Sequence, residues 1–537
     1  MRTEEENIKL AELLYPNIKD SREDIMKKYP KRELEEGAMV TRFAPSPTGF
    51  LHMGGVYSSL VSTMMAKQTN GVSILRIEDT DKGREVENGI SLILGGLNGL
   101  GIHFIEGVTG EDTEAGEYGP YVQSRRLPIY HTFIKEMIAN GYAYPCFMTE
   151  KELNDIRDKQ LALGVKTGCY GDWAKWRNAS LDEIKAMLDK GAPYVIRLRS
   201  TGDANKTYDM VDLVKGKVTL RENDMDAVLI KSDGFPVYHF AHPVDDTLMC
   251  VTHVVRGDEW FSSLPLHVEL FNKLGFELPQ YCHIAPLMKI DGDDNSKRKL
   301  SKRKDPEADV QFYVKNGYPK EGVIEYLLNL ANSNFYDWRK ANPDASPFDF
   351  ILRFEKFNKA GALFDIVKLD NACKDYWATL SAEEIYDRVV EWSSTYDKEL
   401  NSLLLENKDY CTAILNIERT GDKIRKDIVK LADVKDLMSI FFDISSYEDI
   451  SNRVSTDMQK NLLQEYISTY DDSVDGVAWF DNVKNIATKY NVSAGDVAMT
   501  IRVAITGRTK SPDLYQVIHV LGKEEMFNRI SLYLKKL

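Results

Sequence analysis

Residues 39 to 81 constrain the fold more than any other part of the chain. Met39 to Ala44 reads as a strand, the following Pro45-Ser46-Pro47-Thr48-Gly49 as a turn, and Gly55 to Gln68 as a helix closed by Asn70-Gly71. Val72 to Ile77 is then a second strand, ending in Glu78, Asp79 and Asp81. Strand, helix and strand at this spacing form a βαβ unit, in which the two strands run parallel and ligands gather at their carboxyl ends. The turn into the helix carries His52, Gly54 and Gly55. Glycines let an anion approach the backbone, and the unpaired N–H groups and positive dipole end of a helix favour negative charge, so a nucleotide's phosphates suit this place.

A second stretch, Lys299-Leu300-Ser301-Lys302-Arg303, supplies a lysine pair able to close over the same phosphates from a distant part of the sequence. With Lys297, Arg298 and Lys304 it forms the densest positive cluster in a chain whose net charge is −14. That net charge argues against indiscriminate nucleic-acid binding but leaves room for a local basic face. On spacing alone a helix-capping histidine and surface lysines are the favoured account of these residues.

Taken together, "RFAPSPTG" at Arg42 to Gly49, His52-Met53-Gly54-Gly55, "RIEDTD" at Arg76 to Asp81 and "KLSKR" at Lys299 to Arg303 resemble the motifs of class I aminoacyl-tRNA synthetases, and more narrowly those of bacterial-type glutamyl-tRNA synthetase. The resemblance runs from about Val40 to the C-terminus and is strongest in these motifs. It implies an α/β Rossmann-like catalytic domain with a connective insertion, followed by all-α anticodon-binding domains. The implied segments are an N-terminal helical extension (1–38), the two catalytic halves (39–120 and 233–290), an insertion binding the tRNA acceptor end (121–232), the KLSKR loop with a stem-contacting region (291–375), and two helical anticodon-binding subdomains (376–437 and 438–537). The implied activity is ATP-dependent activation of L-glutamate and its transfer to tRNA for glutamate. Whether tRNA for glutamine is also charged stays open.

Activation needs no side-chain nucleophile, because the substrate carboxylate itself attacks the α-phosphate; catalysis then rests on positioning and charge stabilisation. The family's ATP contacts fall on His52, Gly54, Gly55, Lys299, Ser301 and Lys302, with His52, Lys299 and Lys302 as the catalytic set. Mg2+ accompanies the ATP. A glutamate side chain calls for a permanently charged fork, and Arg42 and Arg256 both stand near strand ends at the crevice. The family's amino-acid pocket maps onto Arg42, Ala44, Ser46, Glu78, Tyr238, Arg256 and Trp260, with Glu78 placed to receive the substrate ammonium. Asp81 and Arg84 are expected near the tRNA 3′ end. His242 receives no role, Asp245-Asp246 reads as a turn, and without a ligand a strand-end arginine would pair with Glu78 or Asp258.

Several bulk properties bound the rest. At 537 residues the chain exceeds a single core. No apolar run approaches the roughly 20 residues that cross a bilayer. The N-terminus, with Glu4-Glu5-Glu6, has neither a signal core nor a transit-peptide composition, so the cytoplasm is expected. The six cysteines are sparse and read as reduced thiols. Met148 stands where some glutamyl-tRNA synthetases carry the second cysteine of a zinc site, so no zinc is expected. Residues 1 to 38 read as one or two amphipathic helices broken at Pro16, and Pro236 to Phe240 and Met249 to Val255 as resumed strands. Beyond about Ala331 the spacing predicts mainly helix, including Ile450 to Tyr470 and Tyr515 to Leu534. A monomer is expected. The alternatives are glutaminyl-tRNA synthetase, which the Pro-Ser-Pro motif and helical tail oppose, and a small-molecule nucleotidyltransferase, which has no use for so long a helical tail. The short glutamyl-queuosine enzyme and a non-catalytic tRNA-binding protein fit less well.

Overall fold

The computed structural model describes residues 2–291, 296–359, 361–421 and 424–537. It forms two compact units, Met1–Phe312 with Leu327–Asp365, and Tyr313–Tyr326 with Ile366–Leu537.

The first unit is built on a sheet whose order is Glu114–Ala115, Glu106–Val108, Val72–Leu75, Val40–Phe43, His253–Gly257, Gln280–Ile284, Thr207–Asp212 and Gly216–Arg221. The strands from Glu106–Val108 to Thr207–Asp212 pair in parallel, and each edge is an antiparallel hairpin. Val72–Leu75 is buried along its whole length, Ser73 included, as a central parallel strand covered on both faces must be. Chain order reverses beside Val40–Phe43: its next strand in sequence lies on one side and His253–Gly257 on the other. Such a switch point opens a crevice at the carboxyl ends of the two strands, and those ends carry Arg42 and Arg256.

Two expectations are corrected. Pro236–Phe240 is not a strand; residues Tyr238–Leu248 form a helix with Pro243 inside it. Asp245 and Asp246 are accordingly not a turn but two fully buried positions on that helix. The resumed strand is His253–Gly257 rather than Met249–Val255. The inserted region also does more than interrupt the sheet. Its strands Ala143–Cys146, Val195–Leu198 and Val228–Ile230 form a small sheet of their own, while its Thr207–Asp212 and Gly216–Arg221 hairpin returns to extend the main one.

The KLSKR segment stands on a further small sheet, where Leu287–Ile290 pairs antiparallel with Lys297–Lys299 and parallel with Ala362–Leu363. At the N-terminus, helices Glu4–Leu14 and Arg22–Lys28 each start with a capping box, Thr3 with Glu6 and Ser21 with Asp24. Both pack on the helix Leu127–Ala139.

In the second unit the described residues form helices around a core that includes Trp377, Val389, Leu404, Ile414, Leu462, Val483, Ile501 and Ile530. The region predicted as one helix from Tyr515 to Leu534 is two, Leu514–Leu521 and Lys523–Lys536. Gly522 separates them at φ +78°, a backbone that side-chain-bearing residues rarely adopt. Likewise Ile450 to Tyr470 contributes the shorter helix Thr456–Thr469.

Candidate active site

A cleft of about 360 Å³ opens at the switch point. Its walls bring together Arg42, Ala44, His52, Gly54, Gly55, Glu78, Tyr238, Arg256, Trp260 and Lys299 from the sequence-expected set. Ser46, Ser301, Lys302, Asp81 and Arg84 are not among its lining residues. The Ser46 hydroxyl donates to the Glu78 carbonyl at 2.8 Å, bracing the strand end from behind. Asp81 and Arg84 form an exposed ion pair at 2.5 Å.

Arg42 pairs with neither Glu78 nor Asp258. Its Nε donates to Asp246 Oδ2 at 3.0 Å, and Arg76 Nη1 donates to the other oxygen, Oδ1, at 2.6 Å. Arg76 Nη2 reaches Glu78 Oε1 at 3.3 Å. Burial alone would raise the Asp246 carboxyl, but Arg42 and Arg76 hold it well below the usual range. For Glu78 the balance falls the other way: burial pushes its carboxyl up to about 7 against the pull of Arg76 and Arg42. Asp258 is engaged elsewhere, by Lys215 at 2.7 Å.

Arg256 is held differently. Its Nε donates to His283 Nε2 at 2.9 Å and its Nη1 lies 3.0 Å from His267 Nδ1. A guanidinium has only donors, so both imidazoles must present lone pairs to it. His283 then carries its proton on Nδ1 and gives it to Asp212 Oδ2 at 2.7 Å, while His267 gives its Nε2 proton to His239 Nδ1 at 2.9 Å. Burial lowers all three histidines, which agrees with neutral rings. Tyr281 lies beneath the guanidinium at 4.7 Å and the Trp260 carbonyl accepts from Nη2 at 3.3 Å. Among the described residues no carboxylate pairs directly with Arg256; Asp212 reaches it only through His283. The cleft therefore contains one buried cation whose neighbours are oriented but uncharged.

At the other end His52 caps the helix Met53–Lys67. Its Nδ1 accepts from the Gly54 N–H at 2.8 Å, so the proton sits on Nε2, 3.2 Å from the Leu300 carbonyl. The histidine turn and the KLSKR segment thus meet directly. Burial, with Lys302 nearby, lowers the His52 pKa, as its cap requires. Lys299 Nζ donates to Glu259 Oε1 at 2.6 Å and Lys302 Nζ to the Phe50 carbonyl. Asp305 fixes the base of the segment: it accepts both Arg298 Nη groups, at 2.6 and 2.8 Å, and the Ser301 N–H at 2.9 Å. A Cβ on Gly55 would stand 3.0 Å from Leu51 and 3.3 Å from Phe43, so the close turn leaves no room for a larger residue without displacement.

Residues 38–336 match the family described as tRNA synthetases class I (E and Q), catalytic domain, and residues 384–534 match an anticodon binding domain. The chain belongs to the class I tRNA synthetases of this E and Q family. It is 44% identical over 543 residues to the glutamate–tRNA ligase of Clostridium perfringens, covering 97% of this chain and 99% of that one. A glutamate–tRNA ligase of Clostridium beijerinckii is also 44% identical, over 98% of this chain and 99% of its own. Among solved structures, a glutamate tRNA ligase from Elizabethkingia meningosepticum in complex with its amino acid matches with a TM-score of 0.76 at 28% identity, over 93% of this chain and 100% of that one.

The 98% coverage leaves about 11 of the 537 residues unmatched, so most of the extension before Val40 is shared with that relative rather than a departure particular to this synthetase. Sequence reasoning missed the synthetase's Asp212, His239, His267 and His283, which lie far apart in the chain and carry no spacing signal. It misread Asp246, for which the buried Tyr238–Leu248 helix was the missing cue. Among the described residues no cluster of three or more His, Cys, Asp or Glu could hold a metal, all six cysteines are free thiols, and no helix is long and apolar enough to cross a membrane.

Proposed function

We propose that this chain is a glutamate–tRNA ligase in which Arg256 and Arg42 receive the substrate's carboxylates and Glu78 its ammonium. The observation that carries the reading is Arg256: a buried, fully oriented guanidinium lining the cleft with neutral imidazoles in place of a carboxylate partner. A buried charge of this kind favours an anion delivered by the ligand. In the reaction the α-carboxylate oxygen attacks the α-phosphorus of ATP, the bond to diphosphate breaks, and the glutamyl-adenylate then passes its acyl group to the tRNA 3′ end, releasing AMP. His52, the Gly54 and Gly55 backbone and Lys299 stand at the phosphate side; Lys302 joins them by exchanging the Phe50 carbonyl for a phosphate oxygen. Mg2+ enters with the nucleotide's phosphates, and no zinc is required.

The remaining partners follow from the same reading. Asp81 and Arg84 face the tRNA 3′ end, the 121–232 insertion holds the acceptor end, and the 376–437 and 438–537 subdomains meet the anticodon. Within the second unit, Arg425, Arg508, Lys510, Ser511 and Pro512 line one cavity. None of the Arg425 guanidinium nitrogens makes a hydrogen bond among the described residues, although Nε lies 3.0 Å from Asp427, which supports that cavity as a contact for a nucleotide base or phosphate. A cleft completed by one chain supports a monomer, and free thiols support the cytoplasm. Charging purified tRNA for glutamate and tRNA for glutamine with labelled glutamate, glutamine and aspartate tests the proposal and settles the tRNA choice. Failure to attach glutamate to either tRNA refutes it.

A further inference from the structure

The N-terminal extension reaches the amino-acid pocket through an unbroken line of buried charges. Tyr29, buried just after the helix Arg22–Lys28, places its ring 5.4 Å from the Arg126 guanidinium and donates its hydroxyl to the Gly119 carbonyl at 2.9 Å. Arg126 is fully buried; its Nη1 donates to the Pro120 carbonyl at 2.9 Å and its Nε to Asp245 Oδ1 at 2.7 Å, while its Nη2 has no hydrogen-bond partner among the described residues. Asp245 also accepts from Gln123 at 2.9 Å and from Tyr130 at 2.7 Å, and lies 3.7 Å from Arg76 Nε. Arg76 leads to Asp246 and Glu78, and Asp246 to Arg42. The two ends of the line are the face of Tyr29 and the wall of the cleft.

We infer that Tyr29 is a positioning residue for the amino-acid pocket, acting through Arg126, Asp245, Arg76 and Asp246 on Arg42 and Glu78. The inference rests on the reading of that pocket as the glutamate site. Its physical basis is the half-satisfied state of Arg126. A buried guanidinium short of one hydrogen bond stays aimed at Asp245 only while the aromatic face keeps water from its free edge. With the ring removed, water satisfies the free nitrogen and the guanidinium loosens its hold on Asp245. Arg76 is then drawn toward the freed Asp245 oxygen and away from Glu78 and Asp246. Charges in one buried line respond together because each lies in a low-dielectric setting.

Steady-state kinetics of glutamate-dependent ATP–diphosphate exchange, with tRNA present, test this on the full chain. Tyr29→Leu is expected to raise KM for glutamate by about fivefold or more, the size of coupling seen along packed networks, with KM for ATP within about twofold of wild type. Tyr29→Phe keeps the ring and should restore the glutamate KM. Arg22→Ala serves as the anchoring control: Arg22 ties the extension to the Leu274 carbonyl and the Phe276 ring but touches no member of the charge line, so it should lower thermal stability without moving the glutamate KM. Equal shifts in both KM values for Tyr29→Leu, or an Arg22→Ala glutamate KM raised as much as that of Tyr29→Leu, would overturn the inference in favour of general anchoring. An unchanged Tyr29→Leu glutamate KM would overturn it outright. Wild-type protein that does not activate glutamate refutes the functional reading instead, and the two failures are read from different samples.

Discussion

Replacing Asp212 by Asn leaves the shape of the Arg256 site almost unchanged and reverses its hydrogen-bond logic. Asp212 Oδ1 accepts the N–H groups of Val214 at 3.0 Å and Lys215 at 2.9 Å, and Oδ2 accepts both the backbone N–H and Nδ1 of His283, at 3.1 and 2.7 Å. An Asn side chain keeps its oxygen toward Val214 and Lys215, which turns its amide donor toward two donors of His283. The imidazole can relieve the clash only by moving its proton to Nε2, where it faces Arg256 Nε across 2.9 Å. The backbone N–H of His283 loses its acceptor with either tautomer, a cost to folding, and one further hydrogen bond is lost at the ring, to the introduced amide or to Arg256, worth about 1.5–3 kcal/mol. If that loss falls on the bound substrate, kcat/KM for glutamate drops roughly ten- to 150-fold, since about 1.4 kcal/mol is one factor of ten. KM for ATP should stay close to wild type, because His52 and Lys299 are untouched. Nitrogen-15 shifts of the His283 ring report the tautomer independently. Glutamate kinetics within twofold of wild type, with the ring proton found on Nε2, would refute the argument that the tautomer orients Arg256.

Other expected outcomes follow from the same geometry. On the proposed reading of the pocket, Arg256→Gln leaves a substrate carboxylate buried without its cation, a loss of about 3–5 kcal/mol, so kcat/KM for glutamate should fall by about two to four orders of magnitude, measured by amino-acid-dependent exchange. Because burial raises the Glu78 carboxyl to about 7, the free pocket is increasingly protonated below that pH and loses its charge for the ammonium; KM for glutamate should be flat above pH 7 and rise about tenfold per unit below it. Glu78→Gln should abolish that inflection. Lys302→Ala should lower kcat for adenylate formation by about a hundredfold while tRNA affinity, read by filter binding, stays within about threefold, since its charge is needed at the phosphates rather than along the RNA.

Legibility in the sequence divided along physical lines. The strand–turn–helix at Val40–Phe43 and Met53–Lys67 was readable because backbone conformation there depends on local glycines and prolines. The meeting of His52 with the KLSKR segment followed from the motif pair, and the structure joins them at the Leu300 carbonyl. Asp245 and Asp246 were hidden for two reasons: Pro243 inside a helix is disfavoured, and adjacent aspartates are nearly always exposed unless paired. Only the three-dimensional gathering of Arg42, Arg76 and Arg126 makes their burial affordable. The imidazole set around Arg256 was illegible because neutral histidines brought together from different strands and helices share no spacing.

The hairpin Thr207–Asp212 and Gly216–Arg221 belongs to the insertion by chain position and to the main sheet by pairing. Asp212 sits at that seam, where it faces Tyr281 in the strand register and holds His283 by its ring and backbone N–H groups. The insertion is therefore not a detachable module. A chimera that exchanged residues 121–232 would also exchange the support of Arg256; on the proposed reading, in which that segment holds the tRNA acceptor end and Arg256 the amino acid, choice of RNA and choice of amino acid are not independent parts to engineer.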